Sequence, residues 1–458
     1  MKNPFHHFLQ QKLPIQAGIY QYLKKSGQAK KRIHLRIEQD GTSVLLINAS
    51  KIFYFNSSAT LMARSILENS KQSEVIDAIT AQFDVSRKTA IQDYDSFKVK
   101  MDRIIAPNDD PCPICDLNID TISPFSKNPS APYRMDLALT YRCNNHCIHC
   151  YNESSRKKPE LPLEKWKLVI DAVWEAGIPH IVFTGGEPTL IPFLPHLIQY
   201  AEKKGIITGI NTNGRKLKDW DFVDQLVTAG LDHVQITLES HDSIIHDEIV
   251  QFNGAWKETV DGIRNVLNTH LYVMTNTTLL QSNAIFLSET LSFLSELGLP
   301  TIGLNGLIYA GRGAEVSQAL TEDQLIDLLE IAKSHAEQTE QRLIWYTPTM
   351  YCHLNPIESG LGVKGCTAAL YNMCVEPDGS VIPCQSYYQS LGNILSDAWD
   401  SIWNHDLAVH IRERKYIPEE CRFCDWLDTC GAGCPLHLQE NPLVQPQPIN
   451  SLPFLIDQ

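Results

Sequence analysis

The spacing of hydrophobic residues predicts a small α/β module at the start of the chain. Short apolar runs around a turn at Asp40-Gly41 predict strands, whereas apolar residues near every 3.6 positions predict helices. The predicted strands are Ile33–Ile37, Ser43–Asn48 and Ile52–Phe55, and the predicted helices are Ala59–Leu67, Ser73–Phe83 and a longer one capped by Ser86. The first thirty residues show no clear pattern, and we assign residues 1–106 to this module.

A different pattern, in which strands and helices alternate, occupies the middle of the chain. Six prolines between Pro107 and Pro132 mark a linker, which we place at residues 107–133. The strands predicted after it are Met135–Thr140, His180–Phe183, Gly205–Asn211, His233–Leu238, Leu271–Thr277 and Thr301–Asn305. Because helical patterns separate these strands, we expect them to be parallel, and six such units predict a partial (β/α)6 barrel over residues 134–345.

The alternation ends near residue 345. Short strands, turns and cysteines follow over residues 346–434, with a helical pattern near Asp397–Arg414. Residues 435–458 contain five prolines and are predicted to be irregular. The predicted fold class is therefore α/β, with a small N-terminal module, a partial barrel and a cysteine-rich C-terminal extension.

The composition narrows the class of protein. A length of 458 residues allows two or three domains, and hydrophobic and charged fractions of 43% and 20% are typical of globular proteins. The formal net charge of −14 argues against a nucleic-acid partner. No apolar run approaches the roughly 20 residues of a membrane span, and Met1–Leu13 lacks the apolar core of a secretion signal. We therefore expect a cytoplasmic protein with no membrane partner.

The chain contains 13 cysteines, which are distributed unevenly. Two stand in the linker, at Cys112 and Cys115, three lie close together from Cys143 to Cys150, and eight lie between Cys352 and Cys434. Residues 151–351 contain none, a gap that a disulfide framework is not expected to leave. Because disulfides are rare in the cytoplasm, the clusters indicate thiols that bind metal or take part in chemistry.

Cys143, Cys147 and Cys150 form a CxxxCxxC motif directly after the first strand of the alternating region. Three thiolates at this spacing can ligate three irons of a 4Fe–4S cluster, which leaves the fourth iron free to bind a small molecule. A closed zinc site is the alternative, because His146 or His149 could supply its fourth ligand.

A glycine-containing segment, Thr184-Gly-Gly-Glu-Pro188, follows the second of these strands. Paired glycines let a ligand approach the backbone closely, and Glu187 can accept a hydrogen bond from an ammonium group. Together with the preceding CxxxCxxC motif, this segment resembles the radical SAM superfamily over roughly residues 134–310. The resemblance implies that S-adenosylmethionine binds the open iron. It also implies that one-electron reduction of the sulfonium gives a 5′-deoxyadenosyl radical, which removes a substrate hydrogen atom.

The same resemblance implies which residues contact the cofactors. The three cysteines of the motif would be both metal-binding and catalytic. Tyr151 would lie against the adenine, and the segment Gly185, Gly186 and Glu187 would hold the methionine amine. Asn211, Ser240 and Asn276 lie at or near the ends of later strands, on the face where such barrels bind ligands. The alternative for these last three residues is that they cap the chain locally.

The C-terminal cysteines form a second pattern. Twelve residues separate Cys366 from Gly379, and four more separate that glycine from Cys384. Further along, Cys421, Cys424, Cys430 and Cys434 form a CxxCxxxxxCxxxC motif. These spacings resemble the SPASM extension, which carries auxiliary iron–sulfur clusters, over about residues 366–434. A zinc ribbon is the alternative, although it leaves Cys366 and Cys384 without a role.

The SPASM resemblance implies ligands for one or two auxiliary 4Fe–4S clusters. One cluster would take Cys366, Cys384 and Cys434, with Cys352 or Cys374 as fourth ligand, and the other would take Cys421, Cys424 and Cys430. The family usually supplies another cysteine after this motif, and here none follows Cys434. The second cluster is therefore open at one iron, takes Cys352, Cys374, Cys112 or Cys115, or is absent. Cys374 lies in an apolar strand pattern, which also suits a buried, unreactive thiol.

Residues 33–105 resemble the peptide-chaperone family of pyrroloquinoline-quinone biosynthesis, also called the RiPP recognition element. The stretch Ser43–Thr60 and the helices after it carry this resemblance. It implies a winged-helix-like module in which a sheet edge accepts a peptide as an added strand. The alternative is a domain that merely packs on the catalytic core.

Together, the resemblances imply a radical SAM oxidoreductase that modifies a ribosomally made precursor peptide by a crosslink or an epimerisation. Its partners would be that peptide, whose leader the N-terminal module binds, and an electron donor such as flavodoxin or ferredoxin. Three alternatives stay open: maturation of a tetrapyrrole or other small molecule, maturation of an active-site residue in a protein, and a zinc-stabilised peptide-binding scaffold. They differ in whether turnover needs residues 1–106 and in whether the protein holds iron or zinc.

Overall fold

The computed structural model describes residues 16–26, 29–48, 51–106, 129–152 and 158–440. The chain divides into two units, residues 1–122 and 123–458, each with its own hydrophobic core. The division falls within the linker predicted at residues 107–133. Most of that linker, including Cys112 and Cys115, lies outside the described residues.

The first unit is an antiparallel sheet followed by three helices. Its strands are β1 (Gly18–Ser26), β2 (Ala29–Ile37), β3 (Ser43–Ile47) and β4 (Lys51–Phe55), paired in that order. Its helices are α1 (Ser57–Leu67), α2 (Gln72–Gln82) and α3 (Arg87–Ile105). Buried residues of β2 and β3, such as Leu35 and Leu45, share one core with residues of all three helices. The three predicted strands and three predicted helices of this module are confirmed.

Strand β1 is the element of this unit that the hydrophobic pattern did not predict. Tyr20 and Tyr22 pack against the core, but Leu23 is 47% exposed, so the alternation along the strand is weak. The strand is instead defined by backbone pairing with β2, from Gly18 opposite Ile37 onwards. An edge strand of this kind depends on its partner more than on its own side chains.

The second unit is built on one sheet. Its strands are β5 (Arg134–Thr140), β6 (His180–Gly185), β7 (Ile207–Thr212), β8 (His233–Thr237), β9 (Tyr272–Thr278), β10 (Thr301–Asn305), β11 (Arg342–Trp345), β12 (Asn372–Val375), β13 (Ser380–Ile382) and β14 (Gly392–Asn393). The order across the sheet is β11-β10-β9-β8-β7-β6-β5-β12-β13-β14, and pairing is parallel from β11 to β12. All six predicted barrel strands are confirmed, with boundaries that differ by at most two residues. Gly205 ends the preceding helix, with φ +81°, rather than starting β7.

The helices of this unit follow the strands as the alternating pattern predicts. They are α4 (Leu163–Glu175), α5 (Leu194–Lys204), α6 (Trp220–Ala229), α7 (Ser243–Val250), α8 (Ala255–Leu267), α9 (Gln281–Ala284), α10 (Leu287–Glu296), α11 (Glu322–Thr339), α12 (Trp399–Trp403), α13 (Asp406–Arg412), α14 (Leu427–Cys430) and α15 (Pro435–Glu440). The single helix predicted near Asp397–Arg414 is therefore two helices. The break falls at His405, whose side chain accepts a hydrogen bond from the N–H of Leu407.

The cysteine-rich region is continuous with the barrel. Strand β12 adds to β5 in parallel, and β13 and β14 extend the same sheet. Residues such as Met373 and Ile402 belong to the same core as Leu137. The regions predicted at 134–345 and 346–434 thus share one sheet and one core. The four-residue β12 was too short for its pattern to reveal this connection.

The two faces of the parallel sheet differ in character. One face packs fully buried residues such as Leu137, Phe183 and Ile236 into the core shared with the helices. Because side chains alternate along a strand, the opposite face carries the intervening positions, which include the buried polar residues Asp136 and Asn276. This polar face, together with the carboxyl ends of the strands, is where barrels of parallel strands place their sites.

The end of the described chain differs from its prediction. Residues 435–458 were predicted to be irregular, but Pro435–Glu440 forms α15, in which proline occupies the first helical turn and good helix formers follow it. Residues 441–458 lie outside the described part of the chain. Within the part that the structure describes, no helix has the length and apolar composition to cross a membrane.

Candidate active site at the carboxyl ends of the barrel strands

The loop that carries Cys143, Cys147 and Cys150 follows β5 and is fixed by its backbone. The N–H groups of His146 and Ile148 donate hydrogen bonds, each 2.9 Å long, to carbonyl oxygens at the end of α7. Cys143 is exposed, whereas Cys147 and Cys150 are half-buried. Backbone hydrogen bonds to α7 therefore help to hold the loop in place.

Gly185 and Gly186 allow the end of β6 to touch this loop. A Cβ on Gly185, where φ is +125°, would lie 2.2 Å from the carbonyl oxygen of Thr140, and one on Gly186 would lie 2.2 Å from that of Arg142. The N–H of Gly186 donates to the Thr140 oxygen at 2.6 Å, and the N–H of Glu187 donates to the Arg142 oxygen at 2.9 Å. Both positions require glycine, because a larger residue would push the two segments apart.

Glu187 is buried and joins β6 to β7. Its Oε1 accepts hydrogen bonds from the N–H and the hydroxyl of Thr189, at 3.0 and 2.7 Å, and from the Thr212 hydroxyl at 2.7 Å. Its Oε2 accepts one from the N–H of Asn213 at 2.8 Å. Burial raises the pKa of this carboxyl, and the hydrogen bonds oppose that shift. Because Oε2 has capacity for another hydrogen bond, an ammonium group would contact Glu187 there.

Arg215, which the sequence analysis missed, holds the loop from the side of β7. Its guanidinium donates to the carbonyl oxygen of Asn144 at 2.5 Å, to the side-chain oxygen of Asn145 at 2.9 Å and to the carboxylate of Glu258 at 2.6 Å. The guanidinium carbon also lies 3.6 Å from the centroid of the Phe252 ring. In the sequence, Arg215 is visible only as an arginine shortly after a predicted strand. That position does not reveal where its side chain points.

Arg312 places a second cation beside the loop. It lies in a short 3₁₀ helix, Gly311–Ala314, and its Nε donates to the carbonyl oxygen of Cys147 at 2.9 Å. Burial raises the pKa of the Cys150 thiol, and the charge of Arg312 opposes that shift. The sequence analysis also missed this residue, because about 160 residues separate it from the motif that it contacts.

The three thiols have surroundings that favour a bound cation. Although Cys143 is exposed as a residue, desolvation of its thiol by the surrounding atoms raises its pKa to about 11, and the charge of Glu187 adds to the shift. Burial also raises the pKa of Cys147, with further contributions from Cys150, Glu239 and Cys143. Thiols must lose their protons to bind iron, and the positive charge of the irons offsets the negative charges collected here. The donor set therefore fits a 4Fe–4S cluster.

The zinc alternative finds less support in the geometry. Among the described residues, no group of three or more His, Cys, Asp or Glu side chains could hold a metal ion. A 4Fe–4S cluster does not require its ligands to converge on one ion, because each thiolate binds a different iron. His149, one predicted alternative ligand, lies with Nε2 3.2 Å from Oε1 of the buried Glu239, and His146 lies beside Arg312.

Tyr151 and Asn211 are two of the other residues predicted to contact S-adenosylmethionine. Tyr151 directly follows the motif, and its carbonyl oxygen accepts a hydrogen bond from the Tyr388 hydroxyl at 3.0 Å. Burial raises the pKa of the Tyr151 hydroxyl well above its ordinary value. Asn211 is half-buried near the end of β7, and its side chain makes no hydrogen bond within the described ranges.

The remaining two predicted contacts have partners within the protein. The buried Ser240 hydroxyl accepts a hydrogen bond from the N–H of Asp242 at 3.1 Å, which is a local cap before α7. The side-chain oxygen of Asn276, on β9, accepts one from the side chain of Asn305, on β10, at 3.1 Å. Ser240 therefore caps a local turn, whereas Asn276 pairs with a residue of the neighbouring strand.

The first set of C-terminal cysteines, which we call the first auxiliary group, consists of Cys366, Cys384 and Cys434. Burial raises the pKa of Cys366, and the nearby thiols of Cys434 and Cys384 add to the shift. Burial raises the pKa of Cys384 to about 12, and Cys434 again contributes. Cys374, on β12, is fully buried and has Asp136 and Cys384 as its main charged neighbours. Cys374 therefore lies beside the first auxiliary group.

The second auxiliary group consists of Cys421, Cys424 and Cys430. Burial raises the pKa of Cys421 to about 11, and the thiols that contribute are Cys352, Cys430 and Cys424. The CxxCxxxxxCxxxC motif is thus divided between the two groups, with its last cysteine in the first.

Comparison with known proteins finds two family matches within the second unit. The profile of the radical SAM superfamily matches residues 137–294, and a profile described as an iron–sulfur cluster-binding domain, SPASM, matches residues 366–425. Residues 137–294 thus form a radical SAM domain, and residues 366–425 form a SPASM domain. The protein is therefore an enzyme whose cofactors are S-adenosylmethionine, a 4Fe–4S cluster and one or two auxiliary 4Fe–4S clusters.

Individual relatives differ in what they act on. The chain is 29% identical over 325 residues to Fe-coproporphyrin III synthase of Methanosarcina barkeri, across 64% of this chain and 81% of the relative. It is 26% identical over 316 residues to PqqA peptide cyclase of Gluconobacter oxydans, across 67% and 86%. Its fold is similar to that of Streptococcus suis SuiB in a crystal structure bound to the precursor peptide SuiA. The TM-score is 0.68 at 14% identity, over 92% of this chain and 97% of that chain.

Proposed function

We propose that this radical SAM enzyme modifies a ribosomally made precursor peptide and that the first unit binds the leader of that peptide. The observation that carries the proposal is the extent of the fold likeness to SuiB. A likeness over 92% of the chain extends beyond the second unit and includes most of the small antiparallel module. PqqA peptide cyclase, which is similar in sequence, is also named for a peptide substrate.

The architecture of the first unit supports peptide binding. Strands β1 and β4 are the two edges of its sheet, and each pairs with one neighbour among the described residues. Ile52 on β4 is 39% exposed, so an apolar side chain is available along that edge. A peptide added as a strand would gain backbone hydrogen bonds at such an edge and apolar contact with Ile52.

For the catalytic centre, we propose that Cys143, Cys147 and Cys150 ligate the 4Fe–4S cluster. When bound, that cluster supplies the electron that cleaves S-adenosylmethionine. Arg215 and Arg312 hold the loop in place through its carbonyl oxygens. The predicted contacts with S-adenosylmethionine remain part of the proposal: Tyr151, Gly185, Gly186, Glu187, Asn211, Ser240 and Asn276. An external donor such as flavodoxin or ferredoxin would supply the reducing electron.

A small-molecule substrate is the second candidate, because Fe-coproporphyrin III synthase is about as similar in sequence as the peptide cyclase. The two candidates differ in their use of the first unit. A tetrapyrrole substrate gives the exposed edge of β4 no role, whereas a leader peptide requires it.

The test is turnover by the full chain after anaerobic reconstitution, with S-adenosylmethionine, a chemical reductant and short peptides encoded beside the gene. Mass spectrometry in deuterated solvent detects both expected products: loss of two hydrogens indicates a crosslink, and uptake of one deuterium indicates epimerisation. The proposal expects a modified peptide together with 5′-deoxyadenosine. Formation of Fe-coproporphyrin III from a tetrapyrrole precursor, with no peptide modified, would contradict it.

A further inference from the structure

The second auxiliary group has three cysteines from its motif and none that follows it. Cys434, the last cysteine of the motif, lies with Cys366 and Cys384, and residues 435–458 contain no other cysteine. A 4Fe–4S cluster held entirely by protein has four thiolate ligands. Full ligation of this group therefore needs a fourth thiolate beside these three.

A segment from before the SPASM domain lies directly against this group. The N–H of Tyr351 donates a hydrogen bond to Sγ of Cys430 at 3.3 Å, and Sγ of Cys430 lies 3.8 Å from the carbonyl oxygen of Thr349. The ring of Tyr351 also contacts that of Trp426, with 6.0 Å between centroids. The backbone of the residue that precedes Cys352 thus contacts the second auxiliary group, and its ring contacts Trp426, which lies between Cys424 and Cys430 in the chain.

We propose that Cys352 is the fourth ligand of the second auxiliary cluster, beside Cys421, Cys424 and Cys430. Cys352 is half-buried, and it is the first of the thiols whose charge acts on Cys421. On ligation its thiol releases a proton to solvent, and the sulfur donates an electron pair to iron without a change of oxidation state. The assignment rests on the proposed auxiliary clusters, and Cys352 lies outside the matched SPASM range of 366–425.

Cys374 is the other described cysteine outside the motifs, and its surroundings differ. It lies on β12, opposite Asp136 of β5, and its thiol donates to the carbonyl oxygen of Val375 at 3.7 Å. Its neighbouring thiol is Cys384, of the first auxiliary group. The assignment therefore leaves Cys366, Cys384 and Cys434 as the motif ligands of the first cluster and removes Cys352 from that site.

The test compares Cys352→Ala with Cys374→Ala in the full chain, each reconstituted anaerobically. We expect Cys352→Ala to lose either one iron or the four irons of one cluster, and retention of three irons gives the EPR signal of an oxidised three-iron cluster. Cys374→Ala should leave the cluster on Cys421, Cys424 and Cys430 unchanged, because its sulfur lies beside the first auxiliary group. Wild-type iron, sulfide and EPR spectra in Cys352→Ala would overturn the assignment.

A second measurement uses the wild-type chain and so does not depend on how a variant folds. Iodoacetamide labelling followed by mass spectrometry should find Cys352 protected in the iron-loaded protein and labelled after the iron is removed. Equal labelling of Cys352 in both forms would overturn the assignment. Neither measurement uses a peptide, so failure of the peptide-modification proposal leaves both results interpretable.

Discussion

Nε2 of His149 lies 3.2 Å from Oε1 of Glu239, and this pair connects the cysteine loop to the end of β8. Glu239 is fully buried, and its Oε2 accepts a hydrogen bond from the N–H of Thr278, at the end of β9, at 2.9 Å. The charge of Glu239 also raises the pKa of Cys147. One carboxylate thus joins two strand ends and acts electrostatically on a proposed cluster ligand.

Glu239→Gln should raise the reduction potential of the cluster on Cys147 while its iron content stays the same. Glutamine keeps the shape and the acceptor for Thr278, and removal of a nearby negative charge makes addition of an electron easier. The measurement is an EPR-monitored redox titration. Glu164→Gln is the control, because the Glu164 side chain is 77% exposed on α4. A potential unchanged by Glu239→Gln would contradict an electrostatic role for Glu239.

Arg215→Met should slow formation of 5′-deoxyadenosine by about tenfold or more, because the loop loses the hydrogen bonds to Asn144 and Asn145. Methionine keeps the apolar stem beside Phe252 but removes the donors. Loss of hydrogen bonds to a charged group should also lower the free energy of unfolding by about 1.5–3 kcal/mol. Rate assays and urea denaturation measure the two effects.

Arg264→Met on α8 is the matched control for this variant, because the Arg264 side chain is exposed and pairs with Asp261 at 3.4 Å. It should leave both the rate and the stability near those of the wild type. Equal effects of the two substitutions would show that Arg215 has no specific role in positioning the loop.

Iron uptake by the apoprotein should become faster as the pH rises from about 7 to about 9. The pKa of Cys143 is raised to about 11, so its thiolate fraction is small near neutral pH and increases throughout this range. Iron binding must displace the remaining protons. Stopped-flow absorbance of cluster formation, with alkylation of Cys143 as an independent measure of its thiolate, tests the prediction. Rates that fall with rising pH would contradict it.

Ile52→Asp should raise the KM for the precursor peptide about tenfold or more and leave peptide-independent 5′-deoxyadenosine formation unchanged. A charge at the edge of β4 would have to be desolvated when a peptide strand covers it, and about 1.4 kcal/mol is enough for a tenfold change. Val99→Asp is the control, because Val99 is 58% exposed on α3. A change in kcat without a change in KM would contradict leader binding at this edge.

The predictable part of the fold was the part with strong local patterns. Strand β6 is a mostly apolar run between two helices, and its burial on both faces makes such a run easy to detect. Strand β1 has little alternation, and β12 has four residues. Both form because a partner strand supplies their hydrogen bonds, and that partner is not visible in the local sequence.

Prediction of the candidate site from the sequence was limited in the same way, because contacts made after folding are not visible in the local sequence. Cys143, Cys147 and Cys150 could be identified because cluster ligation demands one residue type at a fixed spacing. The parts played by Arg215, Arg312 and Glu239 depend on where side chains point after folding. Ser240 was expected at the ligand-binding face, but its hydroxyl caps a local turn. Its position near a strand end was correctly predicted, but the hydrogen bond that its hydroxyl accepts could not be predicted.

Replacement of Cys147 is the most direct test of the central claim. Anaerobically reconstituted Cys147→Ala should form no 5′-deoxyadenosine from S-adenosylmethionine, while it keeps the iron of the auxiliary clusters on the C-terminal cysteines. Formation of 5′-deoxyadenosine at the wild-type rate would contradict the assignment of Cys143, Cys147 and Cys150 as the cluster that cleaves S-adenosylmethionine.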